Sequence, residues 1–404
     1  MRVPDDWHEY AMGKLFSFSN GIDADKSAYG TGIPFVNVME VTRNEELTVS
    51  QIPGRVRLAR KRELRYQVKR GDVLFNRTSE TLDEVGLTSV YVDDEPVVFG
   101  GFVLRARPRT AELDLGYAKY ALRAAAVREQ IIARGQGEIR ANVGHGDLKS
   151  VLVYAPSIDE QQRIARALDS ASSLISLLAA LLEKQRRLLE SLQQHLLTGA
   201  TRLPGFTTPW QRVQLGQLLA PRTARNTNGE QLEVLSCTKH LGFVRSLDYF
   251  RNQVFSRDLS TYRIIHRDDI GYPANHVEEG SIGVQELYDR ALVSPIYVVM
   301  RPKDGVDSYF LQRQLKLETY RQEFAKATNA SVNRRGSLRW PQFSQIEVSV
   351  PSPDEQQAIS QVLRDAERAI KSVDRWYAKA INIKQGMMQE LLSGATRLPV
   401  EGRS

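Results

Sequence analysis

Two stretches of the chain carry apolar side chains at a sustained 4-3-4-3 spacing. The first runs through Ile164, Leu168, Ala171, Ile175, Leu178, Leu182, Gln185, Leu189, Leu192 and Leu196. The second, in the same register, runs through Ile359, Leu363, Ala366, Ile370, Val373, Tyr377, Ala380, Lys384, Met387 and Leu391. Such a seam, held this long, predicts coiled-coil helices; the alternative is two helices each packed on its own domain. Pro156, Ser157 and Asp159 open the first run and Gly199 stops it. Pro351, Pro353 and Asp354 open the second and Gly394 stops it, with Gly386 a weak point of about 1 kcal/mol inside. Asp159 to Leu197 as a helix is roughly 58 Å long at ~1.5 Å per residue. Two such helices in one chain are expected to pair antiparallel with a left-handed twist.

The two runs belong to an internal repeat. "PSIDEQQRIARALDSA" starts at 156 and "PSPDEQQAISQVLRDA" at 351, an offset of 351 − 156 = 195. "LLTGATRLP" starts at 196 and "LLSGATRLP" at 391, again 391 − 196 = 195. No insertion separates the motifs, as a spacer of fixed length requires. The blocks before them agree only in outline. Trp7 with Gly13 matches Trp210 with Gly216, "KRGDVLF" (69–75) resembles "HRDDIGY" (266–272), and "FVLRARP" (102–108) resembles "YVVMRP" (297–302). The chain therefore divides into a variable block 1–155, a fixed block 156–204, a variable block 205–350 and a fixed block with tail, 351–404.

Within the variable blocks short β-type runs alternate with turn signals. Strands are expected at 33–41, 72–77, 88–92, 96–108, 232–236 and 296–302, and helices at 116–134 and 308–327. Each block reads as a compact α+β domain. The whole is two globular domains separated by two long helices.

Charge adds a class of partner. The chain of 404 residues has a formal charge of +7, which suits a polyanion without requiring one. Arg55, Arg57, Arg60, Lys61, Arg62, Arg65, Lys69 and Arg70 are opposed in their stretch only by Glu63, and Arg334, Arg335 and Arg339 form a smaller cluster. Any one arginine is more simply a solvated side chain; clusters in both blocks favour phosphate contacts. Base reading would fall to polar loops: Asn76, Arg77, Thr78 and Ser79; Lys239 and His240; Asn275 and His276; Arg334 and Arg335. Each loop is equally ordinary turn chemistry.

The remaining features remove alternatives. A single cysteine, Cys237, rules out an internal disulfide framework and suits a cytoplasmic location. The longest apolar run, 174–182, is short of the ~20 residues of a membrane span. No Walker A motif, glycine-rich dinucleotide fingerprint or paired-histidine metal spacing is present, so no cofactor is expected.

The doubled "PSxxEQQ" helix start and "LL[T/S]GATRLP" helix end, each following a variable block, resemble the specificity subunit of type I restriction-modification systems over the whole chain. That resemblance implies a non-catalytic subunit whose two target-recognition domains each read half of a bipartite site on double-stranded DNA. It implies two modification (methyltransferase) subunits docked on the conserved helices, and restriction subunits with ATP-dependent translocase and nuclease activity completing the complex. The docking and coiled-coil positions are then Glu160, Gln161, Leu168, Ile175, Leu182, Leu189, Leu196 and Gly199, with Glu355, Gln356, Leu363, Ile370, Tyr377, Leu391 and Gly394 in the second copy. The competing readings are a duplicated coiled-coil scaffold without DNA-reading function, and an enzyme with an unrecognised site.

Overall fold

A computed structural model describes residues 4–135, 140–250, 252, 254–275, 277–329 and 337–399. The chain forms two compact units. One comprises Met1–Ala179 with Arg375–Ser404, the other Ala180–Asp374. Each division falls inside a long helix, Ile158–Leu196 or Pro353–Ser393. Every variable block therefore shares its core with half of each helix.

In the first unit, strand His8–Ala11 pairs antiparallel with Leu152–Ala155, tying the two ends of the block together. A five-stranded sheet follows the order Phe16–Asn20, Val103–Pro108, Val73–Asn76, Thr88–Tyr91, Glu46–Leu47. A second sheet joins Arg55–Val56, Tyr29–Val36 and Val98–Phe99. Phe75, Val90 and Leu104 from the larger sheet pack on Tyr117, Tyr120 and Ile131. The same cluster takes in Ile164 and Leu168 from the start of the first long helix and Leu391 and Leu392 from the end of the second.

The second unit repeats the plan. Gln211–Gln214 pairs with Glu347–Val350 as the end-joining ribbon. The main sheet runs Leu219–Pro221, Tyr297–Pro302, Ile270–Pro273, Gly283–Val284. Its cluster of Ile270, Tyr272, Met300, Phe310 and Phe343 includes Leu196 and Leu197 from the end of the first helix and Ile359 and Leu363 from the start of the second. In both units a helix start meets a helix end, so the pairing is antiparallel. The fold is α+β with an antiparallel coiled coil, as the spacing predicts.

Burial follows the expected seam. Leu168, Leu182, Leu196, Leu363 and Leu391 are buried, and Ile175, Leu189, Ile370 and Tyr377 are half-buried. Four leucines off the seam, Leu174, Leu177, Leu181 and Leu188, are exposed. Lys384 departs from the apolar seam because its ammonium reaches both oxygens of Glu45 at 2.6 Å. The first helix contains an 18-residue window of mean hydropathy 1.4, long and apolar enough to cross a membrane by length and composition, with 17% of it buried. The run 174–182, which Ser176 interrupts, understates this, because seam and off-seam leucines both count towards the average.

Several expected elements differ in detail. The strand expected at 33–41 is Tyr29–Val36, followed by helix Val38–Arg43. A capping box makes the switch: the Glu40 carboxylate accepts from the Asn37 backbone N–H at 2.8 Å. The run 96–108 is two strands, parted at Gly100 and Gly101. Each expected single helix is two, Leu115–Ala121 with Ala125–Arg134 and Ser308–Leu315 with Glu318–Asn329. At the first break the Arg123 guanidinium donates to the carbonyls of Thr88, Val41 and Asn44, holding the chain at a bend. Cys237 is buried, and burial pushes its thiol up to about 12, so it is unreactive.

Glycine at the helix ends is a backbone requirement. Gly199 and Gly394 sit at φ 72° and 73°, and a Cβ on Gly394 would lie 2.5 Å from Pro4. Gly386 is helical with nothing near its missing Cβ. The same substitution should therefore have opposite signs. Gly394→Ala is expected to lower stability by more than about 1 kcal/mol, and Gly386→Ala to raise it by about 1 kcal/mol. Denaturant unfolding of both variants checks this.

Candidate nucleic-acid interface

The repeated motifs bond to each other within the chain. Arg397, from the second "GATR", donates from Nε and Nη2 to the Glu160 carboxylate, both at 2.5 Å. It also forks onto Asp6 at 3.0 and 2.8 Å. Arg202, from the first "GATR", donates from Nε and Nη2 to Glu355, both at 2.6 Å. Glu160 and Glu355 are buried and the arginines reach them from the surface, so these are bidentate pairs with one buried and one solvent-accessible partner. Beside them Gln161 accepts from the Asp114 backbone N–H and donates to the Pro156 carbonyl; Gln356 does the same with Asp307 and Pro351. Asp114 and Asp307 in turn cap their helices. Trp210 packs where a Cβ on Gly199 would go, and Trp7 where one on Gly394 would go.

This corrects one expectation. Glu160, Gln161, Glu355 and Gln356 are buried and engaged within the chain, and do not present a docking surface. Exposed apolar groups on the long helices lie elsewhere: Leu174, Leu177, Leu181 and Leu188 on the first, Trp376 and Ile383 on the second.

The basic stretch forms a helix that the sequence does not announce, Arg60–Tyr66, which buries none of its residues. Arg60, Lys61 and Arg62 are exposed. Arg60 pairs with Glu63 at 3.0 Å, and Arg62 donates to the Asp23 carbonyl at 3.0 Å. Arg57, also exposed, donates to Thr31 Oγ1 at 3.1 Å. The surface is strongly positive, and its charges remain in water.

The polar loops divide. Asn76 and Ser79 are buried, contrary to expectation. Asn76 Nδ2 donates to the Glu84 carbonyl and Ser79 Oγ to the Glu84 carboxylate, so both brace the loop from inside. Arg77 and Thr78 are half-buried, and Thr78 Oγ1 donates to Asn142 Oδ1 at 2.5 Å. Lys239 and His240 are exposed in the turn between strands Leu235–Thr238 and Gly242–Arg245. Asn275 is half-buried at the end of strand Ile270–Pro273. His276, Arg334 and Arg335 lie outside the described residues. Arg263 and Arg339, with Asn275, line a cleft of 590 Å³ in the second unit. The Arg263 guanidinium is held below its usual range by burial first and then by Arg225 and Arg339. Arg225 and Arg263 carry no run-length signal in the sequence, because they come from separate segments. Among the described residues no group of three or more His, Cys, Asp or Glu is placed to hold a metal.

Known proteins share this architecture from end to end. No protein-family model matches the chain. A relative from Methanocaldococcus jannaschii, provisionally described as the MjaX type I restriction enzyme specificity subunit, is 18% identical over 98% of this chain and 95% of its own length. The solved specificity subunit of a type I restriction-modification system from M. genitalium superposes over 97% of this chain and 98% of its own, with TM-score 0.56 and 16% identity. The HsdS subunit of Thermoanaerobacter tengcongensis covers 98% and 99%, with TM-score 0.55 and 14% identity. The fold is that of a type I specificity subunit. The likeness extends to a chain from a structure concerned with assembly and conformational transition of a type I system, at TM-score 0.58, 14% identity and full coverage of that chain. The resemblance carried by the doubled motifs thus holds for the whole length, at identities too low to transfer individual residues.

Replacing Arg60, Lys61 and Arg62 by alanine should reduce the slope of log affinity for duplex DNA against log salt by roughly 2 to 3, since each lost phosphate contact removes about 0.9. Titrations at several salt concentrations read this, and an unchanged slope removes the helix from the interface.

Proposed function

We propose that this chain is the non-catalytic DNA-recognition subunit of a type I restriction-modification complex. The observation that carries the proposal is the end-to-end likeness to specificity subunits, together with two α+β blocks closed onto one antiparallel helix pair. In this reading residues 1–155 and 205–350 are target-recognition domains, each reading one half of a bipartite site. Binding two half-sites through one chain makes the second contact intramolecular and so multiplies their affinities. The basic helix Arg60–Tyr66 and the arginines around Asn275 supply phosphate contacts. Arg77, Thr78, Lys239 and His240 stand where base edges can be met.

Two modification subunits dock, in this reading, along the exposed apolar positions of the long helices. Leu177, at 69% exposure, and Trp376, at 61%, are poor surface residues unless a partner covers them. The apolar composition of the first helix is then accounted for by helix pairing and by this partner, without a membrane. Chemistry on DNA belongs to the modification and restriction subunits in this scheme.

Insertion of one heptad into each long helix, after Ala179 and after Asp374, preserves the antiparallel pairing. It lengthens the scaffold by about 10 Å at ~1.5 Å per residue. The permitted spacer between half-sites should grow by about 3 base pairs at ~3.4 Å each, with both half-site sequences unchanged. Methylation of a spacer library by the assembled complex measures this; an unaltered spacer contradicts a scaffold that sets the distance.

A further inference from the structure

The two units share a surface feature that the sequence repeat does not show. In the first, the turn Gly100–Gly101–Phe102–Val103 leads into strand Val103–Pro108, closed by the Val103 N–H donating to the Gly100 carbonyl at 2.9 Å. In the second, Ser294–Pro295–Ile296–Tyr297 leads into Tyr297–Pro302, closed by the Tyr297 N–H donating to the Ser294 carbonyl at 3.0 Å. The third residue of each turn is a large apolar side chain held in water, Phe102 at 61% and Ile296 at 46% exposure. Its carbonyl accepts from the loop that follows the neighbouring strand, from Arg77 N–H in one unit and Ala274 N–H in the other. The second residue's carbonyl accepts from a guanidinium in both cases: Arg77 Nη1 on Gly101 at 3.4 Å, and Arg263 Nε on Pro295 at 3.3 Å.

The two arginines come from non-equivalent segments, one after the strand Val73–Asn76 and one from Arg263–His266. The turns share no sequence motif. Fold repetition alone explains the turns. It does not explain why each exposes an apolar side chain with an arginine on the same carbonyl. Stability gives no reason to expose either residue, since burial of a side chain of this size is favourable. Charge complementarity points to the occupant. The turn in the first unit is bonded to Arg77, whose chain neighbour Thr78 pairs with Asn142, and the one in the second lines the cleft with Asn275, Arg263 and Arg339. Positive and amide-bearing surface around an apolar tip fits the groove of duplex DNA, where thymine methyl groups and base edges offer apolar contact beside phosphates.

We infer that Phe102 and Ile296 are specificity-determining residues, one for each half-site, making the apolar base contact while Arg77 and Arg263 hold the turn against the DNA. This rests on the recognition reading above. The test uses the chain assembled with its modification subunits and a DNA library randomised in both half-sites, read by methylation. Phe102→Ala should relax preference at one base-pair position of one half-site on the order of tenfold, leaving the other half-site as in the parent. Ile296→Ala should do the converse. Methylation by both variants with unaltered preference in both half-sites overturns the inference. Loss of assembly with the modification subunits, read by size-exclusion chromatography while unfolding stays unchanged, makes the turns protein-docking elements and also overturns it. Phe102→Leu and Ile296→Val, which keep the apolar tip, should retain the parent preference and separate contact from folding. If the parent complex itself shows no bipartite preference, the recognition reading has failed, and this one with it.

Discussion

Each half of the fold is closed by a glutamate and an arginine drawn from different copies of the repeat. Glu160 lies in the first "DEQQ" and Arg397 in the second "GATR"; Glu355 lies in the second "DEQQ" and Arg202 in the first "GATR". Both carboxylates are buried. Removing either arginine leaves a buried carboxylate without its partner, whereas removing a glutamate leaves an arginine that water still reaches. The clasp therefore imposes the exchange: the beginning of one long helix must meet the end of the other. The antiparallel pairing, the seating of Trp7 and Trp210 against Gly394 and Gly199, and the capping by Asp114 and Asp307 all follow once it is made.

This arrangement separates what can vary from what cannot. The clasp, the glutamine latches and the helix-end glycines occur twice with matching geometry. Even the Thr198–Ser393 difference keeps the same bond, because each hydroxyl donates to the carbonyl four residues before it. The variable blocks meet this frame through contacts of their own. In the first unit Lys384 reaches Glu45, while Lys119 reaches Glu46 and Asp169. In the second, Arg313 reaches Glu367 and Arg364 reaches Glu286. The surface of each block can thus diverge while the frame that carries it is retained.

The helical frame was legible in the sequence because a 4-3-4-3 seam and an unbroken repeat are local signals of length. The seam positions are buried or half-buried, and the off-seam leucines Leu174, Leu177, Leu181 and Leu188 are exposed, as the periodicity requires. The clasp was not legible: Glu160 and Arg397 are far apart in the chain, and the motifs that contain them look like surface polar runs. That misled the assignment of Glu160, Gln161, Glu355 and Gln356 to partner docking. Asn76 and Ser79 misled for the opposite reason, since a polar Asn-Arg-Thr-Ser stretch after a strand resembles an exposed loop when its side chains in fact brace the loop from within. Arg263 and Phe102 gave no signal at all, because their roles arise only where separate strands meet.

The central claim is that one chain carries two independent reading domains on a fixed frame. Mapping methylated bases on DNA treated with this chain and its modification subunits tests it most directly. The account predicts one asymmetric, interrupted sequence, with a methylated base in each half and a spacer of constant length. Methylation at a continuous site, at a palindrome, or without sequence preference would contradict it.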